Sequence, residues 1–227
     1  MPRISGRLCN TPSEDSMVSK AVLFDLDGTL WDSSEVVAAS WNEVTESLEH
    51  PFPITVEDMK KTMGLTMDKI ADTLFSPHLK KEDIPLLQKK CEEAENRYLR
   101  SRPGSLFANV PEILALLSQD YALYIVSNCQ KGYIEAFLEG TKLSSYFKGH
   151  LCYGDTLTPK GKTIETLLKK EHIQKAVYVG DTSGDMEAAH FASLPFVHAS
   201  YGFGKVKGEE AKILSFQELP KVLKTFL

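Results

Sequence analysis

Two carboxylates stand two positions apart directly after a short apolar stretch. Asp25 and Asp27 follow the run "AVLF" at residues 21–24. On a β-strand, residues i and i+2 point to the same side, so both carboxylates can converge at the end of the strand. Two buried acids are costly unless a cation or a set of hydrogen-bond donors meets them. The spacing therefore predicts such a partner opposite the two acids.

Two simpler interpretations of these acids are disfavoured. An Asp-Gly hairpin turn would need an alternating partner strand directly after Gly28, and none follows. A calcium-binding loop requires glycine at its sixth position, whereas Gly28 is at the fourth.

A second pair of acids occurs far downstream, in "YVGDTSGD". Asp181 and Asp185 also follow an apolar run, "KAVYV" at 175–179, and lead into a helical pattern. If the two strand ends are neighbours in a sheet, their carboxylates form an oxygen-only site, which favours Mg²⁺ over zinc or copper. Taken alone, the segment is also typical of a polar loop in which Asp181 or Ser183 caps a helix.

A third apolar run, "YALYIV" at 121–126, ends in Ser127 and Asn128. A hydroxyl and nearby backbone N–H groups at a strand end can hold phosphate oxygens. A plain turn that begins with Ser-Asn is the alternative.

A lysine at the start of a helix can neutralise a phosphate or a carboxylate. Lys160 is the first choice and Lys162 the second, with a solvated surface lysine as the alternative for each. A nucleotide-binding P-loop is rejected, because Thr156 occupies the position where the motif requires its first glycine.

The elements that must position these residues follow an α/β pattern. Near-continuous apolar runs alternate with helical periods, which predicts a Rossmann-like parallel sheet covered on both faces. Residues 34–101 show helical periods without a strand signal, and Thr55 and Thr66 are typical helix starts. The five apolar runs lie at 21–24, 121–126, 150–153, 175–179 and 195–199.

The combination resembles the haloacid dehalogenase-like hydrolase superfamily. "DLDGTL" at 25–30, Ser127-Asn128, Lys160 and "GDTSGD" at 180–185 match its four motifs in order. The helical block is similar to the cap of the phosphoglycolate phosphatase-like branch, as is "YGFG" at 201–204. The resemblance implies a core domain over 20–33 and 102–227, an all-helical cap domain over 34–101, and a leader over 1–19.

The resemblance also implies roles for the acids and the lysine. Asp25 attacks phosphorus, and Asp27 acts as the general acid and base. Asp25, the main-chain carbonyl of Asp27 and Asp181 bind Mg²⁺, while Asp185 supports the metal site or orients Lys160. The catalytic set is Asp25, Asp27, Lys160 and Ser127.

The same resemblance assigns the phosphate to Ser127 and Lys160, together with the backbone N–H groups of Gly28 and Asn128. The predicted function is a Mg²⁺-dependent phosphatase that hydrolyses a small phosphate monoester, such as phosphoglycolate or a sugar phosphate, through an aspartyl-phosphate.

The presence of Asp27 disfavours dehalogenation, which needs no proton delivered to an alkoxide. The alternatives are a β-phosphoglucomutase-like mutase and a catalytically idle binding module. The first cap helix lacks the histidine usual in such mutases.

Composition limits the partners and the location. The chain has 227 residues, of which 42% are hydrophobic and 25% charged, with a net charge of −5. Without a run of Lys or Arg or a long apolar stretch, neither nucleic acid nor a membrane is expected. The partner is a small phosphorylated metabolite. Residues 1–19 are predicted to be disordered, and four cysteines without a C-x-x-C pair indicate a cytoplasmic protein.

Overall fold

The computed structural model describes residues 20–227. The predicted disordered leader at 1–19 lies outside the described residues. Within residues 20–227, no helix has both the length and the apolar character needed to cross a membrane.

The described residues form a six-stranded sheet and a two-stranded ribbon. The strands, in chain order, are β1 (Lys20–Phe24), β2 (Trp31–Asp32), β3 (Ser105–Leu106), β4 (Ala122–Ser127), β5 (Phe147–Cys152), β6 (Lys175–Gly180), β7 (Phe196–Ala199) and β8 (Ala211–Ile213). The large sheet has the order β5-β4-β1-β6-β7-β8 and every neighbouring pair in it is parallel. The predicted parallel α/β fold is confirmed.

Helices cover both faces of this sheet. They are α1 (Ser34–Thr45), α2 (Val56–Thr62), α3 (Met67–Phe75), α4 (Ile84–Ser101), α5 (Val110–Leu117), α6 (Tyr133–Thr141), α7 (Tyr153–Thr156), α8 (Lys160–Lys170), α9 (Ser183–Phe191) and α10 (Leu219–Leu223). One face packs against α5, α6 and α10, and the other against α8 and α9. The central strands are therefore buried on both sides, which explains their continuous apolar sequences.

The register of the central strands brings their ends to one level. Phe24, the last residue of β1, lies opposite Ile125 of β4 and Val179 of β6. The residues that follow these strands consequently meet at the carboxyl edge of the sheet, where open α/β sheets bind their ligands.

The block between β2 and β3 is entirely helical, as predicted. α1 and α4 pack against each other, and α1 also contacts α2. The predicted helix start at Thr55 is confirmed: Asp58 N–H donates to Thr55 Oγ1 at 3.1 Å, and Thr55 N–H donates to Asp58 Oδ2 at 3.0 Å. The division into a core domain and a cap domain at the predicted boundaries stays a prediction.

Two features of the fold differ from the sequence-based prediction. The chain enters and leaves the helical block through the antiparallel ribbon β2–β3, which was not predicted because two-residue strands are too short to show alternation. The strand predicted at 150–153 instead covers Phe147–Cys152. Tyr153 begins α7, since the Asp155 carboxylate accepts a hydrogen bond from Cys152 N–H at 3.1 Å.

Candidate active site

The predicted site residues meet at the carboxyl edge of the sheet. Asp25 directly follows β1, Ser127 is the last residue of β4, and Asp181 directly follows β6. Because β1 lies between β4 and β6, the three side chains come from adjacent strand ends. Asp25 and Asp181 are at most 1% exposed, so the carboxylates are buried as the sequence predicts.

Lys160 is the cation that meets these acids. Its Nζ donates to Asp25 Oδ1 at 2.9 Å and to Asp185 Oδ1 at 2.5 Å, and the residue is 6% exposed. Lys162, the second choice from sequence, lies on the outside of α8 and pairs with Glu165 at 3.1 Å. The two lysines are two residues apart at the start of α8, and the structure brings only Lys160 into the cluster.

Three carboxylates form the cluster, and Lys160 pairs with two of them, Asp25 and Asp185. One oxygen each from Asp25, Asp181 and Asp185 lies within 4.8 Å of the others. Burial raises the pKa of Asp25 to about 7, and the Asp185 charge adds to the rise, whereas Lys160 opposes it. Burial also raises the pKa of Asp181 to about 8, with further contributions from the charges of Asp185 and Asp25. The cluster is therefore short of positive charge.

The hydrogen bonds of the cluster show where a metal ion fits. Asp185 is fully engaged, because its Oδ2 accepts from Thr182 Oγ1 at 2.7 Å while its Oδ1 binds Lys160. Asp181 Oδ2 accepts from Phe203 N–H at 2.7 Å, but its buried Oδ1 has no partner among residues 20–227. A divalent cation between Asp25 and Asp181 would satisfy that oxygen, which makes the residues present a suitable set of hard ligands.

Asp27 lies in a separate network of hydroxyl groups. Its Oδ1 accepts hydrogen bonds from Ser33 Oγ at 2.6 Å and from Tyr133 OH at 2.8 Å. Burial raises the pKa of Asp27, although the bonds from Ser33 and Tyr133 act in the opposite direction. Asp27 therefore takes up a proton more readily than an exposed carboxyl group does, which suits a general acid.

Gly28 has a structural role in this loop. Its N–H donates to the carbonyl of Trp31 at 2.9 Å, and the predicted contact of this N–H with a phosphoryl oxygen stays a prediction. Gly28 has a φ of +80°, and a Cβ at this position would lie 2.2 Å from Asp181 Oδ2. Glycine is needed here for backbone conformation and for close approach to Asp181.

Ser127 and Asn128 lie where the sheet meets the helical block. Both line a cavity above Asp25, and Ser127 is 6% exposed. Asn128 Nδ2 donates to the carbonyl of Gly64 at 2.9 Å, which connects the end of β4 to the loop between α2 and α3. The helical block is thereby held over the acidic cluster.

The order and arrangement of these motifs match a known family. A family model described as haloacid dehalogenase-like hydrolase matches residues 22–199. The chain belongs to the haloacid dehalogenase-like hydrolase family. The match spans the acidic cluster, Ser127 and Lys160, and it confirms the family resemblance seen in the sequence.

Curated relatives of this family member are phosphatases. A phosphoglycolate phosphatase of Aquifex aeolicus is 29% identical over 200 residues, which cover 84% of this chain and 89% of that protein. A phosphoglycolate phosphatase of Synechococcus elongatus is 30% identical over 190 residues, which cover 81% of this chain and 85% of that protein. The chain is accordingly a phosphatase of the haloacid dehalogenase-like family.

Solved structures show the same fold. A haloacid dehalogenase-like hydrolase of Streptococcus pneumoniae has a TM-score of 0.77 at 21% identity, covering 91% of this chain and 99% of its own. A protein of Haemophilus somnus described as a phosphoglycolate phosphatase has a TM-score of 0.76 at 22% identity, with coverages of 92% and 99%.

Sequence reasoning missed two residues of this phosphatase that contact Asp27. Ser33 and Tyr133 lie 100 positions apart, yet their hydroxyl groups are within 2.8 Å of each other. A serine before a helix is usually a cap, and a tyrosine in a helical period is usually packed in the core. Neither signal identifies a contact that only the tertiary structure creates.

Replacing Tyr133 by phenylalanine is expected to lower kcat about tenfold, because a hydrogen bond to a charged group contributes about 1.5 kcal/mol or more. The change removes one of the two donors that orient Asp27 and stabilise its anion. Steady-state kinetics of phosphate release measure the effect. Tyr121→Phe, just before β4 at the opposite edge of the sheet, is the control and should retain full activity. Equal rates for the two variants would contradict a positioning role for Tyr133.

Proposed function

We propose that this phosphatase is Mg²⁺-dependent and hydrolyses a small phosphate monoester through an aspartyl-phosphate on Asp25. The observation that carries the proposal is the buried cluster in which Lys160 bonds Asp25 while Asp181 Oδ1 stays unpaired. A nucleophilic carboxylate, a cation beside it and a free ligand oxygen are the parts that phosphoryl transfer to an aspartate requires.

The metal would be held by Asp25 and Asp181, with the main-chain carbonyl of Asp27 as a further ligand. Once bound, Mg²⁺ supplies positive charge that stabilises the developing charge on the phosphoryl group. Asp185 has both carboxylate oxygens engaged with Lys160 and Thr182, so its role is to orient the lysine. We therefore assign to Asp185 the second of the two roles that the sequence left open.

The chain's own residues then divide the reaction into two displacements. In the first, a carboxylate oxygen of Asp25 bonds to phosphorus, the ester P–O bond breaks, and Asp27 gives its proton to the leaving alkoxide. In the second, the Asp27 carboxylate takes a proton from a water molecule, whose oxygen attacks phosphorus and releases inorganic phosphate. Lys160 opposes the rise in the pKa of Asp25 and so favours its nucleophilic carboxylate form, and cleavage of the bond between Asp25 and phosphorus in the second step regenerates Asp25.

The size of the cavity supports a small substrate. The space between the acidic cluster and the helical block is about 30 Å³, enough for about two water molecules. This space is smaller than any phosphate monoester, so the helical block must move to admit the substrate, and a short leaving group requires the least movement. The relatives named phosphoglycolate phosphatases support a small phosphate monoester as the substrate class.

Phosphate release is expected to fall to background when divalent cations are chelated and to return when Mg²⁺ is added. The reason is that Lys160 alone cannot compensate three buried carboxylates and the dianionic phosphate. The measurement is release of inorganic phosphate from a panel of small monoesters, with and without chelator.

Metal binding has an independent readout in thermal unfolding. A ligand that binds only the folded state stabilises it by about 2.7 kcal/mol at 100 times its Kd. Mg²⁺ should raise the unfolding temperature of the wild type but have a much smaller effect on Asp181→Asn. Turnover that is indifferent to chelation would contradict the metal requirement. Transfer of phosphate between positions of a sugar without release would indicate the mutase alternative.

A further inference from the structure

The cavity above Asp25 has an acidic residue in its roof. Glu95 lies in the middle of α4, is 3% exposed and lines the cavity together with Asp25 and Asp27. Its Oε2 accepts a hydrogen bond from Trp41 Nε1 at 2.6 Å. The remaining lining on the helical block is mostly apolar, from residues such as Val37, Met59, Met67 and Ile70.

Burying the carboxylate of Glu95 at this position carries a desolvation cost. Burial raises its pKa to about 8 and the Asp27 charge adds to the rise, whereas hydrogen bonds from Trp41 and Gln130 oppose it. A neutral glutamine could accept the Trp41 N–H at a lower desolvation cost, so packing alone does not account for an acid. The hydrogen bonds from Trp41 and Gln130 do not outweigh the cost of burial, so a further donor that enters the cavity would stabilise the carboxylate.

No cationic side chain of residues 20–227 lines this cavity. Three basic residues of the helical block form ion pairs outside this cavity: Lys60 with Asp32 at 3.1 Å, Arg97 with Glu43 at 2.8 Å and Arg100 with Glu139 at 3.0 Å. A leaving group that ends in a carboxylate would therefore face Glu95 and Asp27 without a counter-charge, which is unfavourable in a buried space.

We propose that Glu95 accepts a hydrogen bond from a hydroxyl or ammonium group on the substrate's leaving group. Glu95 is then the specificity-determining residue that selects phosphate esters of short polyols or amino alcohols and disfavours those of hydroxy acids. It has this role only if the cavity belongs to the phosphatase site proposed above.

Four phosphate monoesters of nearly equal size test this selection. They are 2-phosphoglycolate, 2-hydroxyethyl phosphate, 2-aminoethyl phosphate and propyl phosphate, whose leaving groups end in a carboxylate, a hydroxyl, an ammonium and a methyl group. The measured quantity is kcat/KM for each ester. We expect the hydroxyl or the ammonium ester to exceed 2-phosphoglycolate at least about tenfold, since a hydrogen bond to a charged group contributes about 1.5 kcal/mol or more.

Glu95→Gln separates the two donors. The amide oxygen can still accept from a hydroxyl but no longer offers a charge to an ammonium group. The ratio of kcat/KM for 2-aminoethyl phosphate to that for propyl phosphate should fall about 10- to 100-fold, mainly through KM. If Glu95→Leu instead lowers kcat/KM only for 2-hydroxyethyl phosphate, the donor is a hydroxyl group and the substrate is a polyol ester. Glu92→Gln, one turn away and outside the cavity, is the matched control and should leave the ratio unchanged.

Two results would overturn the proposal. One is a wild-type preference for 2-phosphoglycolate over both donor-bearing esters. The other is an unchanged ratio in Glu95→Gln and Glu95→Leu, each shown by its unfolding temperature to be folded. Metal-dependent turnover of any ester establishes the phosphatase function independently of this preference. No turnover of any ester would remove that function and the role of Glu95 with it.

Discussion

Replacing Asp25 by asparagine is expected to reduce phosphate release by about 10⁴-fold or more, the scale seen when a catalytic nucleophile is removed. Asparagine keeps the size of the side chain but cannot displace the ester oxygen as a carboxylate does. In wild type, Lys160 bonds one oxygen of Asp25 and so leaves the other for attack on phosphorus. Initial rates at saturating substrate and Mg²⁺ measure the loss.

A second readout follows the covalent intermediate directly. Wild-type protein quenched in acid during turnover should carry one phosphoryl group on the peptide that contains Asp25, and Asp25→Asn should carry none. Asp120→Asn, an exposed acid before β4, is the control and should behave as wild type. Full activity in Asp25→Asn would refute the nucleophile assignment. Normal folding without turnover in the wild type would favour the idle binding module.

The convergence of the acids was predictable because the topology follows from local signals. Continuous apolar runs such as "AVLF" indicate buried parallel strands, and parallel strands end at the same edge. Once Asp25 and Asp181 are assigned to strand ends, their proximity depends only on β1 and β6 being neighbours, which the structure shows. The sequence could offer Lys160 only as a first choice over Lys162, because both lie at the start of the same helix, and the tertiary structure is what separates them.

The contacts that shape specificity could not be predicted in this way. Tyr133 reaches Asp27 across 106 positions, and Trp41 meets Glu95 across 54. Helical periodicity marks these residues as inward-facing, but an inward-facing residue is normally part of the core. Whether such a residue borders a cavity depends on how α1 and α4 pack over the sheet, and that packing has no local sequence signal.

Replacing Lys160 by methionine is expected to destabilise the fold by about 3–5 kcal/mol, the cost of removing one partner from a buried ion pair. Burial acts to lower the pKa of Lys160, but the charges of Asp185 and Asp25 outweigh it and raise the pKa well above its usual range. The lysine is therefore charged at neutral pH. Its removal leaves both carboxylates buried without a counter-charge, and urea unfolding measures the loss.

Lys162→Met is the matched control, because it removes the same charge two residues away. Lys162 is 56% exposed at its side chain and pairs with Glu165, so the expected loss is less than about 1 kcal/mol.

Mg²⁺ should restore part of the stability of Lys160→Met, since a cation at Asp25 and Asp181 compensates part of the same negative charge, but it should not restore activity. In the proposed mechanism the ammonium group favours the ionised form of Asp25 and also meets the phosphate, so its catalytic role differs from the metal's. Equal destabilisation in the two variants would mean that the 2.5 Å contact with Asp185 contributes little to folding. Recovery of activity by Mg²⁺ alone would reduce Lys160 to a structural counter-ion.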